Sequence, residues 1–266
     1  MKKRLLKYRE VALINIRSRW AYFWDQMLSS WFLVVVLFVF VRLWKVTYSA
    51  GGGGAIDGYS LTEMIWYLVA TEALVMSAPR VHWAIEQEVK DGDLAIRLNK
   101  PYSYLLFHFS GYLGEGIMRV ATFALVGGAT AYLLVGGVDF NWTSIPGLLA
   151  VYLTTTTISF FYSASIGLVA FWLEDISGLY FIFDKLKWIL GGLLLPIEVY
   201  PGVARQVAEA LPFRHMIAGP ARLFVKFSWT DAAALLQSQL IWALLFGLIC
   251  AGIYRLGVRR VDLNGG

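Results

Sequence analysis

The sequence predicts an all-α polytopic membrane protein: six transmembrane helices, an interfacial helix at the amino terminus, a short polar helix between two spans and a re-entrant hairpin before the last. Three observations carry that prediction. The 266 residues are 58% hydrophobic and only 15% charged, against about 25% charged in soluble domains. Apolar runs recur at close to the ~20 residues that a bilayer-spanning helix needs. Lys and Arg gather at the amino terminus and again at Arg255, Arg259 and Arg260, the bias that keeps basic segments on the inner side.

Residues 1–22 carry Lys2, Lys3, Arg4, Lys7, Arg9, Arg17 and Arg19 against Glu10, with Leu5, Tyr8, Ala12, Ile16 and Trp20 on one helical stripe. That pattern predicts a helix lying in the membrane interface. A signal peptide fits poorly, because a continuous apolar stretch and a small-residue cleavage site are both missing from it. The first span is expected from about Leu28 to Trp44, with Arg42 and Lys45 snorkelling at its far end. Gly51 to Gly54 follow in an outer loop without a Gly-Lys-Ser/Thr sequence, so they form a turn and not a phosphate cradle. The second span, about Tyr59 to Ala78, leads into a polar island.

The island, residues 81–101, reads VHWAIEQEVKDGDLAIRLNKP. Val81, Ile85 and Val89 repeat at helical spacing, and Glu86, Gln87 and Lys90 fall on other faces. Asp91-Gly92 supplies the stop, since glycine adopts the left-handed conformation that ends helices. Glu86, Glu88, Asp91 and Asp93 against Lys90 make the segment acidic. Anionic lipid repels such a segment, which leaves a solvated loop or a protein partner with basic or hydrogen-bonding groups.

Tyr102 to Val135 exceeds one span, and is divided into an interfacial helix up to about Gly116 and a third span from about Ile117. The fourth span lies within Ile145 to Trp172 and carries a run of hydroxyls, Thr154 to Thr157, Ser159, Ser163 and Ser165, the residues that let helices pack closely and bond across the contact. Glu174 and Asp175 mark an acidic inner turn, a second and smaller contact. The fifth span, about Gly178 to Ile197, contains Asp184, Lys185 and Lys187. Pro201, Pro212 and Pro220 then break residues 198–229, which include Arg214, into pieces too short to cross. A sixth span runs from about Ala232 to Tyr254.

Ionisable residues inside spans are costly and mark function or helix locking. The expectation is an inner-half polar cluster in which Glu72 or Glu115 pairs with Arg119, and Asp184 with Lys187 three residues on. The cluster either lines a cavity or fixes the register of the spans. Chemistry is otherwise sparse. Cys250 is the single cysteine, and His82, His108 and His215 lie far apart without metal-ligand spacing, so no metal site is expected. No nucleotide-binding loop occurs, so the chain is not expected to hydrolyse ATP. An intramembrane enzyme acting on lipid remains the alternative. It would draw acid and base from Glu72, His108, Asp184 or His215, none of which share a helix face.

The basic amphipathic start, the six spans, the acidic island after the second and the proline-broken hairpin before the last resemble an ABC-2-type transporter permease over nearly the whole chain. The nearest local likenesses are EVKDGDLAIRLNKPYSYLLFHFSGYLGE, Glu88 to Glu115, and LPFRHMIAGPARLF, Leu211 to Phe224. They are similar to the branch of paired permeases of about 265 residues served by a separate ATPase. The resemblance implies a single permease domain over residues 1–266, in the bacterial plasma (inner) membrane, with both termini cytoplasmic. It implies a dimer, with an identical or related second permease, resting on cytoplasmic ATP-binding subunits that hold the ATP and Mg. This chain itself would carry no cofactor. Val81 to Leu94 would be the coupling helix, with Trp83, Glu86, Glu88, Asp91, Gly92, Asp93, Glu174 and Asp175 meeting the ATPase. The hairpin with Pro201, Pro212, Arg214 and Pro220 would close the outer end of a pathway exporting or flipping a hydrophobic or amphipathic substrate.

Overall fold

The computed structural model describes residues 2–21, 23–52, 54–173 and 175–265. Thirteen α-helices occur among them: α1 (Lys2–Ala21), α2 (Phe23–Ser29), α3 (Trp31–Ala50), α4 (Leu61–Ser77), α5 (Val81–Lys90), α6 (Asp93–Leu98), α7 (Tyr104–Val135), α8 (Ile145–Leu168), α9 (Ser177–Leu190), α10 (Gly202–Ala210), α11 (Phe213–Met216), α12 (Ala218–Val225) and α13 (Trp229–Gly265). β-Structure among the described residues amounts to one isolated bridge, Ile56 to Tyr59. It closes a tight turn in which Asp57 (φ 47°) and Gly58 (φ 81°) are both left-handed.

Among the described residues, five stretches are long and apolar enough to cross a membrane: Trp24–Ala50, Leu61–Lys90, Tyr104–Val135, Trp142–Phe171 and Trp229–Arg259. The expected fifth span, α9, has 14 residues, about 21 Å at 1.5 Å per residue, which falls short of a ~30 Å hydrocarbon core. Its helix stops at Gly191-Gly192, where Gly192 takes φ 77°, and the chain turns back. The Tyr67 hydroxyl donates to the Gly192 carbonyl at 2.5 Å, and the Thr71 hydroxyl to that of Leu193 at 2.6 Å. Those bonds satisfy buried backbone carbonyls in the turn that follows the helix.

The division of Tyr102 to Val135 at Gly116 is corrected by the structure, because α7 is one continuous 32-residue helix, about 48 Å long. Its glycines serve close approach and not termination. At Gly114 a side chain would collide with the backbone of Ala12, and at Gly127 a Cβ would lie 3.0 Å from Leu33 and 3.1 Å from Val69. The first of these sites lets α1 lie along α7. Lys7 donates to the Pro101 carbonyl at 2.5 Å, and the Tyr8 hydroxyl accepts from the Ser103 amide at 2.9 Å. Trp20 leaves the expected apolar stripe and is exposed; the side chain of Leu5 lies outside what is described. The first span likewise runs on to Ala50 rather than ending near Trp44.

The core divides by level. Leu33, Leu37, Ile65, Leu68 and Phe123 join α3, α4 and α7. Ile85, Tyr112, Phe160 and Leu168 join α5, α7 and α8. Ile158, Tyr162, Ile176, Met216 and Ile217 bring α8, α9 and α11 together. The α5–α6 unit therefore sits at one end of the bundle. The opposite end carries the Asp57-Gly58 turn and Lys226, whose ammonium donates to the Gly58 carbonyl.

Candidate functional site

The helix α4 opens with a capping box, in which the Glu63 amide donates to the Ser60 hydroxyl at 3.3 Å and the Ser60 amide to the Glu63 carboxylate at 2.7 Å. It ends at Ser77, and Pro79 separates it from α5. Along α5, Val81 and Ile85 are buried as their spacing requires. The helix lies directly on α8 because position 167 is glycine: a Cβ there would sit 2.8 Å from the His82 Cα. His82 stacks on Tyr180 at 3.3 Å between ring centres, with its Nδ1 3.2 Å from the Ser163 hydroxyl. Gly92 then adopts φ 77° and starts α6, whose Leu94 is buried.

Two of the four island carboxylates, Glu86 and Glu88, are buried and bonded within the chain rather than turned outward. Glu86 is 4% exposed and accepts from the Ile176 amide at 3.2 Å and from Lys90 at 2.7 Å. Glu88 accepts from the Tyr104 hydroxyl at 2.8 Å and pairs with Arg97 at 2.9 Å and His108 at 3.1 Å. A buried carboxylate must be matched by donors or cations; for Glu86 they come from α5 itself and from the start of α9, and for Glu88 from α6 and α7. These two groups weld the island to the bundle. Sequence spacing hides such long-range partners.

The exposed residues of the unit are Trp83, Lys90, Asp91, Gly92, Asp93, Ala95 and Ile96. Ile96 was not singled out by sequence, although an apolar residue in an acidic segment is a signal. Asp175 is also exposed; its carboxylate accepts from the Ser177 amide at 2.8 Å and hydroxyl at 3.1 Å. Those bonds hold its carboxyl below the usual range and start α9. Glu174 lies outside the described residues.

The intramembrane charges form two pairs and leave one residue over. Glu115, and not Glu72, meets Arg119 at 3.2 Å, and it also takes Arg19 of α1 at 2.5 Å. Arg119 further donates to the Met76 carbonyl at 3.1 Å, so α1, α7 and the end of α4 are tied together just before α5. Asp184 pairs with Lys187 at 2.5 Å. Glu72 is 7% exposed and has no bond to any described residue. Between α4, α7, α8, α9 and α11 lies a cavity of about 40 Å³, lined by Ser77, Tyr112, Tyr152, Ser159, Tyr180 and Lys187 among others. That space is large enough for a few waters, and part of the α8 hydroxyl stripe, Thr155, Thr156, Ser159 and Ser163, faces it.

His108 finds a carboxylate partner, yet that pair with Glu88 sits within packed helices, and neither residue lines either of the two cavities. Among the described residues, groups of three His, Cys, Asp or Glu that could hold a metal are absent.

At the opposite end, Pro201 and Pro212 precede α10 and α11 at their N-caps, and Pro220 sits in the first turn of α12, positions where a missing amide donor costs nothing. Gln239 of α13 holds this hairpin in place. It donates to the His215 carbonyl and to the Thr155 hydroxyl, both at 2.8 Å, and accepts from Thr154. Arg214 lines a second cavity, of about 180 Å³, between the hairpin and α13.

Residues 33–265 match the model of a family described as ABC-2 family transporter protein. A search of curated proteins returns no match.

Proposed function

Because the chain belongs to the ABC-2 family of transporter proteins, we propose that it is the transmembrane permease subunit of an ATP-driven exporter, energised by a separate ATP-binding subunit that docks on α5 and α6. The observation that carries this reading is the surface formed by Trp83, Asp91, Asp93 and Ile96. It projects from a unit whose other side is fixed to α8 through Gly167 and to α7 through Glu88. A push on that surface reaches the spans without being absorbed by a loose loop. An exposed aromatic residue and two exposed carboxylates on one helix-turn unit suit a partner surface with an apolar pocket and basic groups. ATP and Mg belong to that partner.

The α5–α6 end then faces the cytoplasm, with both termini, in a bacterial plasma membrane. The sixth crossing is made by α9 together with the broken segment that follows it. The chain leaves the inner end at Ile176 beside Glu86, turns at Gly192 against Tyr67, and reaches the outer end at Lys226 beside Gly58. In this arrangement α10, α11 and α12 form a re-entrant hairpin in the outer half. A second permease, identical or related, completes the pathway, and the cargo is hydrophobic or amphipathic. The test is gentle extraction of the tagged chain from its native membrane, with mass spectrometry of what accompanies it. An ATP-binding subunit should be recovered; repeated recovery of the chain alone in several mild detergents would sink the proposal.

A further inference from the structure

We propose that the outer cleft between the hairpin and α13 binds the headgroup of a zwitterionic phospholipid, its phosphate on Arg214 and its ammonium on Asp231, the carboxylate that Arg222 holds less closely. The inference rests on the membrane orientation proposed above and not on the ATPase partner. The cleft encloses about 180 Å³, several times the ~30 Å³ that one water occupies in the liquid.

Its charges do not cancel locally. Arg222 stands between Glu198 at 3.4 Å and Asp231 at 3.8 Å, so two carboxylates share one guanidinium and one negative charge is left over. Glu209 is matched by Arg205 at 2.9 Å. Arg214 has no hydrogen bond or ion pair to any described residue, although it is half-buried and lines the cleft. The cleft thus presents one cation that no carboxylate contacts directly, Arg214, whose charge reaches Glu209 only from a distance, and one carboxylate charge beyond what Arg222 matches. A phosphodiester beside a primary amine supplies the complementary pair in one molecule, and guanidinium is the side chain whose donors fit phosphate oxygens two at a time.

The floor of the cleft selects a lipid over a free zwitterion. Ala234, Leu235 and Ser238 of α13 line it. Below them Ile241, Leu245 and Leu248 stay exposed on the same face of the helix as Ala234, a track for acyl chains running away from the headgroup. Asp231 stands in the first turn of α13, and Lys226 at the outer end, which sets the cleft at headgroup level.

The experiment is native mass spectrometry of the full chain in detergent, titrated with phosphatidylethanolamine, phosphatidylglycerol or water-soluble phosphoethanolamine. The wild type should retain phosphatidylethanolamine in preference to the other two. Arg214→Gln should weaken that retention by roughly tenfold or more, the loss of one charge-assisted contact, and Arg214→Lys should restore part of it. Asp231→Asn, at an exposed position, should remove the preference over phosphatidylglycerol, and it keeps the test alive if Arg214→Gln does not fold. Equal retention of both lipids by the wild type, or folded variants that bind as the wild type does, would overturn the assignment. Phosphoethanolamine binding as tightly as the lipid would overturn the lipid as occupant.

Discussion

Glu88→Ala separates the two roles that an acidic residue in the island could have. In the structure Glu88 touches three partners, Tyr104 at 2.8 Å, Arg97 at 2.9 Å and His108 at 3.1 Å. A hydrogen bond to a charged group contributes about 1.5–3 kcal/mol, and opening a buried ion pair by removing one partner costs about 3–5 kcal/mol. The three contacts share one carboxylate and do not add, and Arg97 is 29% exposed, so the lower bound is the better figure, about 3 kcal/mol. At roughly 2–4 °C per kcal/mol for a chain of this order, the midpoint of thermal unfolding in detergent should fall by about 6–12 °C. Glu88→Gln, which keeps an acceptor and loses the charge, should fall by less. Asp91→Asn, exposed and unpaired with any described residue, should stay within about 0.5 kcal/mol of the wild type. The reasoning is refuted if Glu88→Ala melts as the wild type does while partner binding is lost, because Glu88 would then face the partner.

Other consequences follow from single contacts. Gly167→Ala places a methyl 2.8 Å from the His82 Cα and 3.0 Å from its carbonyl, both backbone atoms that cannot rotate away. Overpacking of about 1–3 kcal/mol should displace α5, so that the ATPase still co-purifies while transport per ATP hydrolysed falls; unchanged coupling would contradict the close contact. Gln239→Leu strips the Thr155 hydroxyl and the His215 carbonyl of their donor and should lower stability by about 1–3 kcal/mol, read as a lower unfolding midpoint.

The helical class and most of the span positions were legible because apolar runs and breakers act locally: Gly92 stops α5 and the prolines begin α10 and α11 by rules that a short window contains. Lengths were less legible. A glycine reads the same whether it ends a helix or admits a neighbour, and only the approach of Ala12 shows that Gly114 does the second. Partners across the fold were the least legible. Glu86 finds the Ile176 amide 90 residues away, so a carboxylate that looked free in sequence is held inside. The i,i+4 and i,i+3 pairs, Glu115 with Arg119 and Asp184 with Lys187, were readable because one helix fixes their distance. The dipolar lining of the outer cleft was not, since it is assembled from four separate pieces of chain.

The most direct test of the central claim is ATP hydrolysis and co-purification in the complex of this chain with its ATP-binding subunit, comparing wild type with Trp83→Ala and with the double variant Asp91→Lys, Asp93→Lys. These residues lie on the exposed face of α5 and α6 and hold nothing inside the bundle. Loss of the subunit, or of permease-dependent hydrolysis, at an unchanged unfolding midpoint would place the docking surface there. Full assembly and hydrolysis in both variants, with the chain folded, would contradict the account.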